Sequence, residues 1–539
     1  MRLSQVRSAP PLAPWRARAG LMALAAAGLA FGLFVSFRYA VSLWMPDSDM
    51  AVPLALWRGF QRYGWSFLPS WRYTPDNWLF SLAPIDGLVF AMAGGSPTTL
   101  VATGWAIFAA SLALTAALAW RLAGATAALA LACVLAFPNP AALGGAGYLA
   151  YPVTHNVSMA WALAALVIAA AAIERGSVLL ALASGACEVI DAVSDPWAMP
   201  AIVLPLILAG GLVAFVHRRE RAARGAAALF AASLLAAWAA QSHAWGALSF
   251  LPDAQFHLTS PAGVAHNLWT AAKNLAAMAN VLPGADLGSK WVLRVDFIAL
   301  SLVLAAGAVG AALTARRASA GRQLVVAVAV LSMAGTLGAY AIGDWPTLAS
   351  LGRWFPNLYF FGGLVAAYGL AAGWRRCPTW ARLAAGTYAL LFMAAGALAD
   401  PGAWLGPPKP SRPYEAEALA AFLAGQGLTY GYGPYWGAQS LMIGPVSGGK
   451  VTIRPVAFEN GRLRRRVAES SSFWYRAADE PPGLPARFVM VKNDGEACLD
   501  LEACVATAVR QLGPPARRLD HEGYVVLVFD HPIAERIAE

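Results

Sequence analysis

Eleven apolar runs constrain this sequence more than any other feature, because most of them are long enough to cross a bilayer. A helix needs about 20 residues to span the hydrocarbon layer, and a backbone placed there must satisfy its own hydrogen bonds. Only 13% of the 539 residues are charged, against about 25% in soluble proteins. We therefore expect a polytopic α-helical membrane protein with about eleven transmembrane helices. The runs are Gly20–Phe37, Pro97–Trp120, Gly124–Phe137, Val157–Ile173, Gly176–Ile190, Trp197–Val216, Ala226–Phe250, Trp291–Thr314, Gln323–Ile342, Phe355–Gly373 and Thr379–Leu398.

Arginine placement decides how a further apolar run, Trp78–Gly94, is interpreted. If that run lies flat in the membrane interface, sixteen arginines and only two glutamates fall in the N-terminus and the loops on one side. This is the positive-inside pattern, which predicts a multi-pass protein with a cytoplasmic N-terminus. The Arg-rich, Lys-poor composition suggests a bacterial protein, so we expect the bacterial inner membrane. The net charge of +10 thus reflects topology, and the split of basic residues among short loops argues against a nucleic-acid partner.

The chain becomes polar from Asp400 onward. We expect a membrane core over residues 1–400, a Pro-rich linker over 401–413 and a small periplasmic α/β domain over 414–539. Helices are predicted at Tyr414–Ala424 and Leu501–Leu512, and Cys498 and Cys504 are either a local disulfide or two free thiols. Strands are predicted at Leu428–Gly433, Lys450–Pro455, Phe488–Val491 and Tyr524–Phe529.

Two carboxylates follow the first apolar run directly, in Trp44-Met-Pro-Asp47-Ser-Asp49-Met50. Ionisable groups at a membrane face are costly and usually functional. The alternative is that they cap the next helix, since Asp and Ser are good N-cap residues; one aspartate could serve each purpose. The loop over 45–96 that they open is rich in aromatic residues, which would stack sugars or, more simply, anchor the chain in the interface: Trp57, Tyr63, Trp65, Phe67, Trp71, Tyr73 and Trp78.

The order of features over Pro46–Gly94 resembles the GT-C class of integral-membrane glycosyltransferases. That clan includes the protein O-mannosyltransferases and the aminoarabinose transferases of bacteria. An acidic residue at the outer end of the first helix is followed there by two juxtamembrane helices, and Asp49 matches it by its spacing to Gly64. The usual Pro-Pro-Leu is replaced by Asp76-Asn-Trp-Leu-Phe80, and the segment Tyr430–Ala438 resembles part of a domain that follows such membrane cores.

The resemblance implies a sugar transfer from a polyprenyl-phosphate donor to a hydroxyl of a glycan, lipid or protein outside the membrane. Asp49 would be the general base for that hydroxyl. Asp47 would raise the pKa of Asp49 by like-charge repulsion, or hold the acceptor or a metal ion.

Other polar residues fall at the predicted outer ends of spans. Arg353, with Lys290 as a weaker alternative, would bind the donor phosphate, and ordinary contact with lipid headgroups explains them equally simply. His155 would bind the phosphate or the acceptor, although a lone periplasmic histidine is more often structural. Glu188, Asp191 and Asp195 would hold a divalent cation, Mg²⁺ or Mn²⁺, or the acceptor, unless they only form a polar helix end. His243, His257 and His266 lack metal-ligand spacing, and the run Arg462–Arg466 is typical of a solvated surface.

Three other functions fit parts of the sequence. An O-antigen polymerase or ligase would carry its polar loop late in the membrane core, whereas this loop comes first. A transporter of lipid-linked glycans would place charges near the middle of several spans. A scaffold protein would not depend on Asp49.

Overall fold

The computed structural model describes most of the chain. Trp44–Pro46 at the start of the first loop, His243 with the end of the predicted run Ala226–Phe250, and most of the predicted linker lie outside the described residues. Those described are 14–43, 47–153, 155–241, 257–315, 317–344, 351–373, 378–406, 415–481, 483–493 and 498–537.

Each predicted apolar run corresponds to a helix in the described part of the chain, where α-helices are numbered in chain order. Eight of these helices are long and apolar enough to cross a membrane, which indicates a multi-pass membrane protein. α5 (Ala125–Leu135) has only 11 residues, or about 16 Å at 1.5 Å per residue. The bundle helices are α1 Pro14–Leu43, α4 Pro97–Ala123, α5 Ala125–Leu135, α7 His155–Arg175, α8 Val178–Ser194, α9 Leu204–Val216 after a π-helical turn at Met199–Val203, α10 Arg221–Gln241, α12 Lys290–Ala315, α13 Ala320–Ile342, α14 Pro356–Gly373 and α15 Thr379–Leu398.

Four further helices lie between the bundle helices. α2 (Ser48–Tyr63) leads through a 3-10 turn at Gly64–Ser70 to strand β1 (Trp71–Arg72), and α3 spans Ala83–Ala93. With 11 residues, α3 is too short to cross a bilayer, which agrees with a run that does not span. α6 (Pro140–Leu143) is a single turn. α11 (Pro261–Met278) was not predicted, and its Asn267 binds the carbonyl oxygens that end α13.

The C-terminal part is the α/β domain that the sequence predicts. It contains a six-stranded sheet in the order β4 (Arg462–Arg465), β3 (Thr452–Glu459), β2 (Tyr430–Pro434), β6 (Arg487–Lys492), β8 (Tyr524–Phe529) and β7 (Arg517–His521), in which β2 runs parallel to both neighbours. Cys498 and Cys504 form a disulfide. Its elements are α17 Glu415–Gly425, β2 Tyr430–Pro434, α18 Ser440–Val446, β3 Thr452–Glu459, β4 Arg462–Arg465, β5 Ser470–Ser471, β6 Arg487–Lys492, α19 Leu501–Leu512, β7 Arg517–His521 and β8 Tyr524–Phe529, and the short α16 Pro401–Leu405 precedes it.

The domain docks on the first loop of the membrane core. β1 pairs antiparallel with β5, and the hydroxyls of Ser70 and Ser471 lie 2.7 Å apart. Beside them the rings of Trp71 and Trp474 are 5.2 Å apart, edge to face. We refer to the end of the bundle where α1 ends and α4 begins as the domain end.

The aromatic residues of the first loop correct one prediction. Interfacial anchoring fits Trp65, which is 76% exposed, but Trp71 and Tyr73 are each 1% exposed. Phe67 and Trp78 are also buried. Phe67 and Trp71 are packed into the protein core because Phe473 and Trp474 of the C-terminal domain lie against them.

A close contact on α4 fixes the loop that precedes α7. A side chain at Gly104 would bring its Cβ to 2.5 Å from the Ala150 carbonyl oxygen and 2.8 Å from Pro152. We expect Gly104→Val to displace this loop and cost about 1–3 kcal/mol, as overpacking generally does. Gly338→Val on α13 is the control, since no atom lies within 4 Å of that position. Thermal unfolding in detergent checks this; equal unfolding temperatures for the two variants would contradict it.

Candidate active site

Asp47 is fixed by hydrogen bonds from two elements. It is the N-cap of α2, and its Oδ1 accepts from the Met50 amide at 2.9 Å. The Tyr151 hydroxyl, from the loop before α7, lies 2.8 Å from both carboxylate oxygens. The capping role that the sequence allows for this pair of aspartates therefore belongs to Asp47.

Asp49 lies in the first turn of α2 and takes its hydrogen bond from the other end of the chain. The Tyr435 hydroxyl donates to Asp49 Oδ1 at 2.6 Å across a separation of 386 residues. Oδ2 of Asp49 makes no hydrogen bond to any residue that the structure describes. Asp49 thus keeps one carboxylate oxygen available, whereas both oxygens of Asp47 are occupied.

Burial and neighbouring charge alter the proton affinity of both carboxylates. Burial raises the pKa of Asp47 to about 6. Burial also raises the pKa of Asp49 well above its usual value, and the charges of Glu469 and Asp47 raise it further, while the bond from Tyr435 opposes them. A carboxyl group with a raised pKa is a stronger base once ionised, as general base catalysis requires.

Glu469 is a site residue that the sequence analysis missed. It is 5% exposed, pairs with Arg466 at 3.5 Å, and its amide donates to the Arg72 carbonyl oxygen at 2.7 Å. Its φ of 51° is left-handed, a conformation that costs about 1–3 kcal/mol in a non-glycine residue. No local pattern marks Glu469, because β1–β5 pairing brings it to the first loop.

His155 and Asp195 form a second cluster. His155 Nδ1 and Asp195 Oδ2 are 2.7 Å apart, and the imidazole stacks on Trp197 with ring centroids 5.3 Å apart. Ser158 Oγ also donates to Asp195 Oδ2. Burial by itself raises the pKa of Asp195, but these bonds and the charge of His155 leave it below its usual value. His155 Nε2 is buried and has no hydrogen-bond partner among the described residues.

Glu188 and Asp191 do not join Asp195 at one cation site. Glu188 accepts from Ser184 inside the bundle, and Asp191 is fully buried on α8. In the part of the chain that the structure describes, no three His, Cys, Asp or Glu side chains are placed to hold a metal ion. A requirement for Mg²⁺ or Mn²⁺ stays a prediction.

Arg353 lies in the 3-10 turn Leu351–Trp354 at the domain end, where the ring of Trp354 contacts His155. Its Nε is buried without a hydrogen bond to any described residue. Burial raises the pKa of Asp76, a second missed carboxylate, while the charges of Arg353 and His155 lower it. Arg353 and His155 therefore face a common acidic neighbour.

The remaining predicted residues stand apart from these clusters. Lys290 is exposed at the start of α12, and none of the contacts described above involves it. His257 and His266 are also exposed. The structure thus groups five of the predicted residues, whose roles stay predictions, with five others: Asp47, Asp49, His155, Asp195 and Arg353 lie with Asp76, Tyr151, Tyr435, Arg466 and Glu469.

Among solved structures, this chain is similar at low identity to an archaeal oligosaccharyltransferase. No protein-family model matches this sequence, and no curated protein sequence is significantly similar to it. The Archaeoglobus fulgidus oligosaccharyltransferase with Zn and sulfate has a TM-score of 0.46 at 11% identity, covering 93% of this chain and 73% of that one. Its complex with an inhibitory peptide and a dolichol-phosphate has a TM-score of 0.48 at 12% identity, covering 90% and 71%. At this level of similarity, neither activity nor substrate is transferred to this chain.

The raised pKa of Asp49 has a consequence for stability. A carboxyl group whose pKa is higher in the folded state binds more protons there, so its charge costs stability as pH rises above the unfolded pKa of about 3.9. We expect Asp49→Asn to unfold at a higher temperature than the wild type at pH 8. The difference should shrink as pH falls towards 4.

Thermal unfolding in detergent across this pH range is the measurement. Asp530→Asn is the control, because that carboxylate is 79% exposed. A destabilised Asp49→Asn at pH 8 would contradict the expected cost of burying the charge.

Proposed function

We propose that this chain is a membrane glycosyltransferase of the GT-C class. It would move a sugar from a polyprenyl-phosphate donor to a hydroxyl of an envelope glycan, a lipid or a protein. The observation that carries the proposal is the hydrogen bonding of Asp49, a half-buried carboxylate with a raised pKa and one oxygen without a described partner. The arginine distribution supports a periplasmic site in a bacterial inner membrane, where lipid-linked donors replace nucleotide sugars.

The chemistry follows from the two clusters. Asp49 Oδ2 takes the proton of the acceptor hydroxyl as the acceptor oxygen bonds to the anomeric carbon. The bond between that carbon and the phosphate oxygen breaks, and the electron pair leaves with the lipid phosphate. Arg353 Nε and His155 Nε2, both buried without described partners, would donate to this phosphate.

The placement of charge favours transfer over transport. The ionisable groups of the two clusters lie at the domain end, in loops and at helix termini, rather than along the middle of several spans. Transporters typically place their sites near the bilayer midplane on broken helices. An O-antigen polymerase or ligase would use the same class of donor. Only the product of the reaction distinguishes it from the proposed transferase.

We expect Asp49→Asn to lower the rate of transfer by about 10²–10⁴, the usual contribution of a general base. Asp47→Asn is the matched variant, because Asn keeps the N-cap of α2 and should retain more activity. Envelope glycans of a deletion strain carrying each variant would be compared by mass spectrometry. If deletion removes a glycan that Asp49→Asn still makes, the assignment of the base is wrong; if deletion changes no glycan, transport or scaffolding is favoured.

We expect Arg353→Gln to weaken binding of undecaprenyl phosphate to the detergent-solubilised protein at least tenfold, because a buried donor to phosphate is lost. The control is Arg294→Gln, which removes an exposed arginine of α12. Equal affinity for the two variants would remove Arg353 from the donor site.

A further inference from the structure

We propose that the C-terminal domain completes the active site and that Tyr435 is the residue that positions the carboxylate of Asp49. This inference rests on the proposed function of Asp49 and adds a residue from a different part of the chain. Tyr435 itself would not exchange protons with the substrate. Its hydroxyl would hold Oδ1 so that Oδ2 points to the acceptor.

The first observation is the network around Ser48 and Asp49. Besides the bond from the Tyr435 hydroxyl to Asp49, the Ser48 hydroxyl donates to the Tyr435 carbonyl oxygen at 2.7 Å. The Ser48 amide donates to Gln439 Oε1 at 2.8 Å. Three hydrogen bonds therefore join the start of α2 to the segment between β2 and α18.

The second observation is that Tyr435 is itself held. It follows β2 directly and is 2% exposed, and the Arg466 guanidinium lies 3.6 Å from the centre of its ring. Arg466 in turn pairs with Glu469 beside β5. A guanidinium on an aromatic face has less freedom than an unstacked side chain, so the phenol has a defined position.

The third observation is the rigid junction between the domain and the first loop. β1–β5 pairing and the edge-to-face contact of Trp71 with Trp474 fix the domain against the segment that follows α2. The hydroxyl of Tyr435 is therefore placed by the same junction that covers the loop. Misplacing a reacting group by about 1 Å can cost about 10²-fold in rate, which is the effect expected when this bond is lost.

An opposite role makes a different prediction. If Tyr435 occupied the position of the acceptor hydroxyl and kept the site closed, removing its hydroxyl would raise the rate of transfer. Positioning requires the rate to fall while binding of the donor lipid is unchanged.

The test is Tyr435→Phe, which keeps the ring and removes the hydroxyl. Tyr432→Phe is the control, because its hydroxyl bonds to the Trp474 carbonyl oxygen at 3.2 Å inside the same domain. Three quantities would be measured: glycan formed per unit time in the deletion strain, binding of undecaprenyl phosphate to the solubilised protein, and the unfolding temperature. We expect Tyr435→Phe to lower the rate at least tenfold with lipid binding within twofold of the wild type.

A rate for Tyr435→Phe within twofold of the wild type, or above it, would overturn the inference. So would a fall in rate accompanied by an equal loss of lipid binding and stability. If Tyr435→Phe does not fold, Ser48→Ala decides, since it removes one bond that holds Tyr435 and leaves the phenol; its rate must also fall at unchanged lipid binding. Asp49→Asn is measured alongside: if it retains transfer, the proposed base fails, whereas an inactive Asp49→Asn with an active Tyr435→Phe rejects only the role of Tyr435.

Discussion

The cost of burying carboxylates at the end of an apolar bundle governs the structure around Asp49. A buried charge is tolerated only where hydrogen bonds or opposite charges compensate it, and here each carboxylate has a compensating side chain from a distant part of the chain. The Tyr151 hydroxyl donates a hydrogen bond to Asp47, the Tyr435 hydroxyl donates one to Asp49, and His155 pairs with Asp195. The carboxylates can therefore be kept in the fold only if the loops and the C-terminal domain that carry their partners are fixed as well.

Two anchors provide that fixation on either side of the first loop. Toward the bundle, the Ser194 hydroxyl accepts from the Phe80 and Ser81 amides, and the Asn77 side chain donates to the Val193 carbonyl oxygen. Toward the C-terminal domain, β1 pairs with β5. The loop is thus held between the end of α8 and the C-terminal domain. These contacts fix the two clusters of ionisable groups relative to each other.

Features that depend on local pattern could be predicted from the sequence, and features that depend on tertiary contacts could not. The apolar runs and the strand at Tyr524–Phe529 follow from length and residue type alone. The side-chain direction of Asp195 could not be predicted, because Asp195 ends α8 with φ −150° and ψ 114° and its side chain turns to His155. The run Arg462–Arg466 reads as a solvated surface, yet Arg466 stacks on Tyr435. No sequence signal joins Tyr435 to Asp49, because 386 residues separate them.

The C-terminal domain acts on the proton affinity of Asp49 in two opposite directions. Glu469 raises the pKa of Asp49 through its charge, whereas the hydrogen bond from Tyr435 lowers it. Arg466 forms an ion pair with Glu469 and stacks on the ring of Tyr435. Glu469 and Tyr435 thus partly offset each other in the pKa of Asp49, whereas only the hydrogen bond from Tyr435 orients its carboxylate. The larger effect of the domain on catalysis would then be orientation, since a base that keeps its proton affinity but loses its position loses the near-attack geometry on which its contribution depends.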